Sequence, residues 1–586
     1  GNAKLKVIAG MLEVGFDTLK QREQHRRNQR LAAVTTMALV VMMVTSVLAL
    51  VALVARNDAI TAQRKAVVAQ QAAVVAQTAA ERRQKQAEGL VGFMLGDLGD
   101  KLQQVNRLDI LQAVDDKAMA YFNSISTADA TDSALALRVT ALEKIASIRM
   151  DRGQTPMALK SYRAATALAV ELIRRAPNNE DRVIAYGDSL KWVGQAYWRQ
   201  GDLSNALKNF QGAIALLQKA HEARPGDDDL TFKLATARND AGHVREARGE
   251  LDAAHRDYAT YLQIFQSLHQ REPASRKWRS YLGDAWDNLG KIELEQGHLD
   301  RAIADYVTDQ RLKAEIVAQD PADHDAIENL LVSNAILGRT LALCGNMVAA
   351  LSFTRDAENS AKKESKYESA YAYMQEDSAL YSQQLGGLLR QTGQLSSAGI
   401  ADSEALSIFA KLIARDKSNS GWRKEYAQTQ LEMARLKLQV GNPATAQALA
   451  NAALQGIGAL RAKRGLDPTL SLLASQADEL LGRIAEKSGN TASAHLAWTR
   501  AIATLAPVLG ISEDPNDLAT MATTWLLLKD SDKARPLIAK LAAIGYRTPD
   551  FEALLASKGM AYAASRDAAR RIAAITEAHT TTKANR

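Results

Sequence analysis

The chain has a single cysteine, Cys344, among its 586 residues, so no internal disulfide and no cysteine-based metal site is available to it. Aromatic residues make up only 5% of the sequence and prolines number 11. Alanine is abundant instead, a balance that favours closely packed helices over sheets. Nine histidines are scattered without ligand spacing. No nucleophile elbow, phosphate-binding loop or zinc pattern occurs, so the chain carries no signature of an enzyme or of a cofactor site. One-sided charge is also missing. The net charge is +7, yet residues 1–30 hold seven Lys/Arg against three Asp/Glu, so the remaining chain carries only +3. With no basic stripe interleaved with aromatics, nucleic acid is not an expected partner.

What is present begins with LAAVTTMALVVMMVTSVLALVALVA, 31–55, which contains no charged residue. As a helix these 25 residues rise about 37 Å, enough to cross a hydrocarbon core of roughly 30 Å. The stretch is longer than the apolar region of a secretory signal and starts later. A transmembrane helix is therefore expected over 31–55. Lys20, Arg22, Arg26, Arg27 and Arg30 precede it, whereas Arg56, Arg64 and Lys65 follow. The positive-inside rule then puts residues 1–30 in the cytoplasm and the rest across the membrane. Since the chain opens on Gly1 rather than Met, the basic segment reads as the tail of a domain upstream.

The remainder is periodic. Gly153, Gly201, Gly249, Gly297, Gly345, Gly393, Gly441 and Gly489 recur every 48 residues, and an alanine follows each by five positions. A second small residue stands seven before each glycine, as Gly194, Gly242, Gly290, Gly338 and Gly386 do, with Ala146, Ala434 and Gly482 in the other copies. Tyr162, Phe210, Tyr258, Tyr306 and Trp498 stand nine after it, and Pro177, Pro225, Pro273 and Pro321 close the first four copies. Each mark has a mechanical reading. The turn glycine takes positive φ, the small residues let partner helices approach, the aromatic fills the gap to the next unit, and proline ends the second helix. Each unit is thus helix, turn, helix, loop.

With WDNLGKIELEQGHLDRAIADY, carrying Trp286, Leu289, Gly290, Ala302 and Tyr306, the chain resembles the tetratricopeptide family. The family's usual tyrosine is replaced there by Glu293, though Tyr197 supplies it in another copy, and 48 residues per unit exceeds the typical 34. The copies around Thr354, Asp402 and Ala450 lose the aromatic. The resemblance implies an all-α fold, a right-handed α-solenoid of helix pairs after one transmembrane helix, with a concave surface that takes a protein or peptide. The expected division is a basic segment 1–30, the span 31–55, a helical stalk and connector 56–130, eight helix pairs 131–510, irregular capping helices 511–575 and a loose tail 576–586.

In the stalk, AVVAQ occurs at 66–70 and again at 73–77. That heptad step fits either a plain amphipathic rod or a homodimer contact through 60–80. Gly89, Gly92, Gly96 and Gly99 share one helical face and suit close helix packing. The segment 89–122 and the opening LKVIAGMLEVGFDTLKQREQHRR resemble bacterial membrane signalling proteins. In those, a cytoplasmic effector, such as a Toll/interleukin-1 receptor (TIR) domain or a kinase, precedes one span and a periplasmic repeat array. That resemblance implies an inner-membrane protein that senses or scaffolds, with a purely structural envelope scaffold as the alternative.

DHDAIE, 323–328, falls where other copies also place acids after their proline, so it reads as helix capping and not as a metal site. Family logic puts groove-lining residues on each first helix. The position after its small residue is Gln195, His243, Lys291, Arg339, Gly387, Arg435 and Arg483. On the concave side this row forms a mainly basic ladder suited to peptide carboxylates, with Trp192 and Trp198 as an apolar wall at one end.

Overall fold

The computed structural model describes residues 2–95, 117, 120, 130–151, 155–367, 372–415, 419–464, 467–508 and 513–584. Gly153, Gly96 and Gly99 lie outside these, as does most of 96–129. All regular structure among the described residues is helical. The chain divides into two compact units, 1–137 and 138–586.

In the first unit, α1 (Asn2–Met11) turns into α2 (Phe16–Leu95), a single helix of 80 residues. Nothing in its sequence between 16 and 95 breaks it, because proline is absent throughout. Its central apolar window has a mean hydropathy of 2.8 and no residue buried, so it is long and apolar enough to cross a membrane. The stalk expected after the span continues the same helix without interruption to Leu95.

The second unit is a row of antiparallel helix pairs joined by tight turns. With α3 (Asp132–Asp151), which opens the row, they are α4 (Thr155–Arg175), α5 (Glu180–Gln200), α6 (Leu203–Ala223), α7 (Asp228–Ala247), α8 (Leu251–Arg271), α9 (Arg276–Glu295) and α10 (Leu299–Gln319). Then follow α11 (His324–Leu343), α12 (Met347–Tyr367), α13 (Ala372–Gln391), α14 (Leu395–Arg415), α15 (Ser420–Gln439), α16 (Pro443–Arg464), α17 (Pro468–Lys487) and α18 (Thr491–Leu505). The odd-numbered helices are first helices of their pairs and the even-numbered ones second helices. Each helix packs chiefly on the one before it and the one after it, the arrangement of a tetratricopeptide-like solenoid.

The turn glycines from Gly201 to Gly489 all adopt φ between +73° and +82°, where a side chain would be strained, so each ends its first helix in the left-handed region. A second periodic device starts the first helices. Asn179, Asp227, Ser275, Asp323, Asn419 and Asp467 each accept a hydrogen bond from the backbone N–H three residues on. Asp323 of DHDAIE is thus a helix cap, receiving the Ala326 N–H at 3.0 Å.

The aromatic row packs on two sides. Phe210, Tyr258 and Tyr306 share apolar cores with residues of the next unit, among them Ala241, Leu289 and Leu337. These rings and that of Trp498 also lie against the small residue of their own pair. A Cβ on Gly242 would sit 2.6 Å from the Tyr258 ring, so glycine there is what lets α7 and α8 close on a buried tyrosine. In two copies without the aromatic, Thr354 and Asp402 take that place against Gly338 and Gly386.

After α18 come α19 (Pro515–Leu527), α20 (Ser531–Ile544), α21 (Pro549–Ser557) and α22 (Arg566–Ala584). The first three do not simply extend the row. Leu518, Ala522, Leu526, Leu541, Phe551 and Leu555 share one apolar core with first-helix residues of α9 to α15, among them Leu294, Leu341, Leu388 and Leu436. The last helix packs on α10 and fixes itself there by Arg571 to Asp300 at 2.5 Å. The stretch expected to be loose from 576 continues this helix to Ala584.

Candidate functional site

First helices from α5 to α17 turn one face to the interior of the row. That face and the 513–558 segment enclose a cavity of about 2050 Å³. Its walls run from Trp198 and Glu246 at one end, past Arg339, to Arg390, Arg435 and Arg483, with Thr520, Asp550 and Phe551 opposite.

The expected ladder is distributed unevenly over this groove. Arg339, Arg435 and Arg483 line it. Gln195 donates instead to Asp240 of the next first helix, at 2.8 Å. His243 lies under the Trp198 ring, with centroids 5.8 Å apart, and shares a 2.6 Å hydrogen bond with the Tyr258 hydroxyl. Lys291 reaches back 2.5 Å to Glu246. The two tryptophans separate. Trp198 lines the groove, whereas Trp192 stacks on Tyr162 at 6.1 Å and is not part of the lining.

The row is also less basic than its cations alone suggest, because acids one turn earlier answer them. Arg435 pairs with Glu432 and Arg483 with Glu479 on the same helices, and Lys291 pairs with Glu246 of the preceding first helix. These acids were legible as i−3 and i−4 partners within α15 and α17. At the Trp198 end, burial and the neighbouring Glu246 push the Glu295 carboxyl up to about 8. Burial works against ionisation of Glu246 itself, but its bonds from His243 and Lys291 hold it down at about 2. One of the two acids is therefore charged and the other protonated at neutral pH.

The strongest cation in the groove is one that the periodic row does not contain. At the row position of α13 stands Gly387, and Arg390 one turn later takes over. Its guanidinium is buried and makes a two-pronged contact with Asp550, at 2.8 and 3.3 Å, while Nε lies 3.6 Å from Glu432. Burial disfavours its charge, yet Glu432 and Asp550 hold it fully protonated. Conversely, partial desolvation on the cavity wall works against the Asp550 carboxylate, while Arg390, Arg435 and Arg483 together bring it below the ordinary range. Because other first helices carry Trp198, Glu246, Leu294, Ala342, Leu438 and Glu486 at the position of Arg390, no period marks it.

Two backbone bonds seat the segment opposite. The Glu513 N–H donates to the Glu295 carbonyl at 3.0 Å, and the Arg547 N–H donates to the Leu343 carbonyl at 2.7 Å. Those two acceptors occupy the same position of consecutive units, at first-helix C-termini where carbonyls lack helical partners. Gly345, immediately beyond, has the Arg547 carbonyl 2.9 Å from where a Cβ would stand. Cys344, half-buried beside this contact, donates its thiol to the Leu341 carbonyl at 3.0 Å, and burial raises its pKa. No group of three or more metal-ligating side chains comes together among the described residues.

A sequence profile for the family described as Tetratricopeptide repeat matches residues 197–261, which span α5 to α8 around the Gly201 and Gly249 turns. No curated protein matches the chain. Among solved structures, the apo form of RapI is 11% identical, with 72% of this chain and 99% of that one covered and a TM-score of 0.47. A Rap protein complexed with competence and sporulation factor is 14% identical, with 69% and 99% covered and a TM-score of 0.39. A tetratricopeptide repeat protein from Parabacteroides merdae ATCC 43184 is 14% identical, with 58% and 98% covered and a TM-score of 0.31. The chain carries tetratricopeptide repeats in a helical solenoid, a fold typically non-catalytic and used for protein–protein interaction.

Proposed function

We propose that the chain is a membrane-anchored receptor or scaffold module whose groove captures a protein segment or peptide. The observation that carries this reading is the convergence of Arg390, Arg435 and Arg483 on one wall of an open cavity of about 2050 Å³. Guanidinium groups in fixed orientation read carboxylates by paired hydrogen bonds, and a two-walled groove between helices suits an extended or helical segment.

The anchor is the 31–55 portion of α2, with residues 1–30 on the cytoplasmic side and the repeats outside the bacterial inner membrane. In this reading, occupancy of the groove is relayed through α2 to a cytoplasmic effector of the TIR or kinase type. The repeated Val67, Val68, Val74 and Val75, all exposed on the stalk, serve as a homodimer contact that the relay uses.

The test uses the full chain in lipid nanodiscs. Selection from a random peptide library is expected to give binders that lose at least tenfold in affinity when Arg435 and Arg483 are both changed to Glu. A library that yields no binder, or binders indifferent to both changes, overturns the reading. Sidedness is tested separately. In a Cys344→Ser background, Lys208→Cys on an exposed face of α6 should react with an impermeant maleimide once the outer membrane is opened, and Asn28→Cys should not. The reverse pattern overturns the orientation.

A further inference from the structure

We infer that the chain's own 546–558 stretch is a resident occupant of the arginine row, with Asp550 holding the place that an external peptide's carboxylate takes when the groove is loaded. This rests on the peptide-binding reading and adds to it a competitor built into the fold. The stretch contributes three kinds of contact. Phe551 and Leu555 enter the apolar core shared with the first helices. The Arg547 N–H uses a first-helix carbonyl one unit beyond the one that Glu513 uses. Asp550 answers Arg390 with both oxygens, at 2.8 and 3.3 Å.

The third contact differs from the other two in a way that matters. The Phe551 ring and the Arg547 amide lie in closed packing, but Asp550 stands on the cavity wall with its side chain 55% exposed while Arg390 is only 7% exposed. A ligand in the cavity therefore meets Asp550 directly. The charges explain why it should be exchangeable. On this wall Arg390, Arg435 and Arg483 face Glu432, Glu479 and Asp550, so cations and anions balance one for one. Glu432 and Glu479 lie in the middle of first helices, three and four residues before the arginines they pair with, so they stay beside them. Asp550 sits in the first turn of the nine-residue α21, on a segment outside the repeat. Withdrawing Asp550 leaves a buried guanidinium short of one anion, a costly state. An incoming carboxylate removes that cost, so ligand binding and displacement of Asp550 are coupled. An acidic peptide is then the ligand class favoured, and its apparent affinity is lowered by the fraction of time Asp550 holds the site.

The experiment measures binding of a labelled synthetic peptide with the sequence GYRTPDFEALLASK, residues 545–558, to the full chain in nanodiscs. Asp550→Asn is expected to bind it at least tenfold more tightly than the unsubstituted chain. Adding Arg390→Gln, Arg435→Gln and Arg483→Gln should abolish that gain. Equal binding by the unsubstituted and D550N chains, no binding by either, or a gain that survives loss of the arginines overturns the inference. A second measurement needs no variant. Saturating peptide should shift the NMR signal of the Asp550 carboxylate carbon in the unsubstituted chain, and an unchanged signal overturns the inference even if D550N fails to fold. Library binders with equal affinity for both chains would sink this inference and leave the peptide-binding reading standing. A library without binders would sink the latter.

Discussion

The early and late copies of one repeat solve the same packing problem differently. In α5 to α10 the second helix supplies a large ring, Phe210, Tyr258 or Tyr306, and the first helix supplies a glycine to receive it. Phe232, Phe265, Trp278 and Tyr281 extend this into an aromatic cluster, with Phe232 and Tyr281 centroids 4.9 Å apart. In α11 to α16 the ring is replaced by Thr354, Asp402 or Ala450, and around α15 to α17 the core is largely alanine and leucine. The late copies nevertheless keep their small first-helix residues. The first helices of α9 to α15 also bury leucines against 513–558, so part of the apolar contact that a ring provides within a pair is provided there from the groove side. A copy that leans on the chain's own C-terminal segment can lose its ring. One that stands away from the segment cannot.

That contrast predicts its own largest effect. Tyr258→Ala removes a ring with no exposed surface and opens a void against Gly242, so it should cost about 3–5 kcal/mol. Thr354→Ala should cost about 2 kcal/mol, because it removes one buried methyl and a hydroxyl that accepts from Gln384 at 3.1 Å, far less volume than a ring. Chemical denaturation of the two variants checks the difference, and equal losses would break the comparison. Next in size, Arg390→Ala should destabilise by about 2 kcal/mol, less than a fully enclosed pair would because Asp550 is half-exposed. Amide exchange should place that loss in 513–558 and α13 to α17 while α5 to α8 keep their protection, since coupling in such arrays passes between neighbours.

Asp402 sharpens the contrast through pH. It occupies the ring position of its copy, fully buried, and neither carboxylate oxygen has a hydrogen-bond partner among the described residues. Burial, with Glu432 adding to it, raises this carboxyl to about 8. The folded chain therefore keeps a proton that the unfolded chain releases near pH 4, and stability due to this group falls as pH rises from about 4 to about 8. Asp402→Asn should flatten that slope and raise the thermal midpoint at pH 8 by a few degrees, with little change at pH 4. Thermal melts at both pH values check it. A midpoint lowered more at pH 8 than at pH 4 would mean that the carboxyl is needed in its charged form.

Much of the fold was legible because it is written in residues that can do only one thing. Glycine at positive φ every 48 residues fixes where each first helix stops, and the small residue seven before it fixes where the second helix comes near. That each ring also presses on the small residue of its own pair was not legible, since a ring that fills the gap to the next unit carries the same signature. The groove was half legible. Row logic finds Arg339, Arg435 and Arg483, but it passes over Arg390, whose register positions elsewhere hold unrelated residues. Asp550 is harder still, because it meets Arg390 across 160 residues and lies in a segment outside the repeat. Periodicity reveals contacts that recur, and a contact made once between an array and its own tail leaves no period.

The smallest expected effect concerns the caps, where the two kinds of helix differ in some copies. First helices open on a side chain that accepts a backbone N–H, as Asp227 does from Leu230 at 3.0 Å. Second helices do so in some copies, at Asp202 and Asn490, but Glu250 and His298 make no such bond. Replacing Asp227 with Ala leaves an N-terminal donor without its partner and should cost about 1 kcal/mol. Replacing Glu250 with Ala should cost less, because no cap bond is lost and only a surface pair with Arg248 at 2.7 Å disappears, a contact of small worth. Glu250→Asp should go the other way, since the shorter carboxylate has the reach that Asp202 uses at the equivalent position to accept from Asn205 at 3.1 Å. A gain of a few tenths of a kcal/mol in denaturant midpoint would show that the missing cap in this copy is a matter of side-chain length alone. No gain would mean that the ψ of 57° at Glu250, lower than the 75° at Asp202, already turns the side chain away from the helix end.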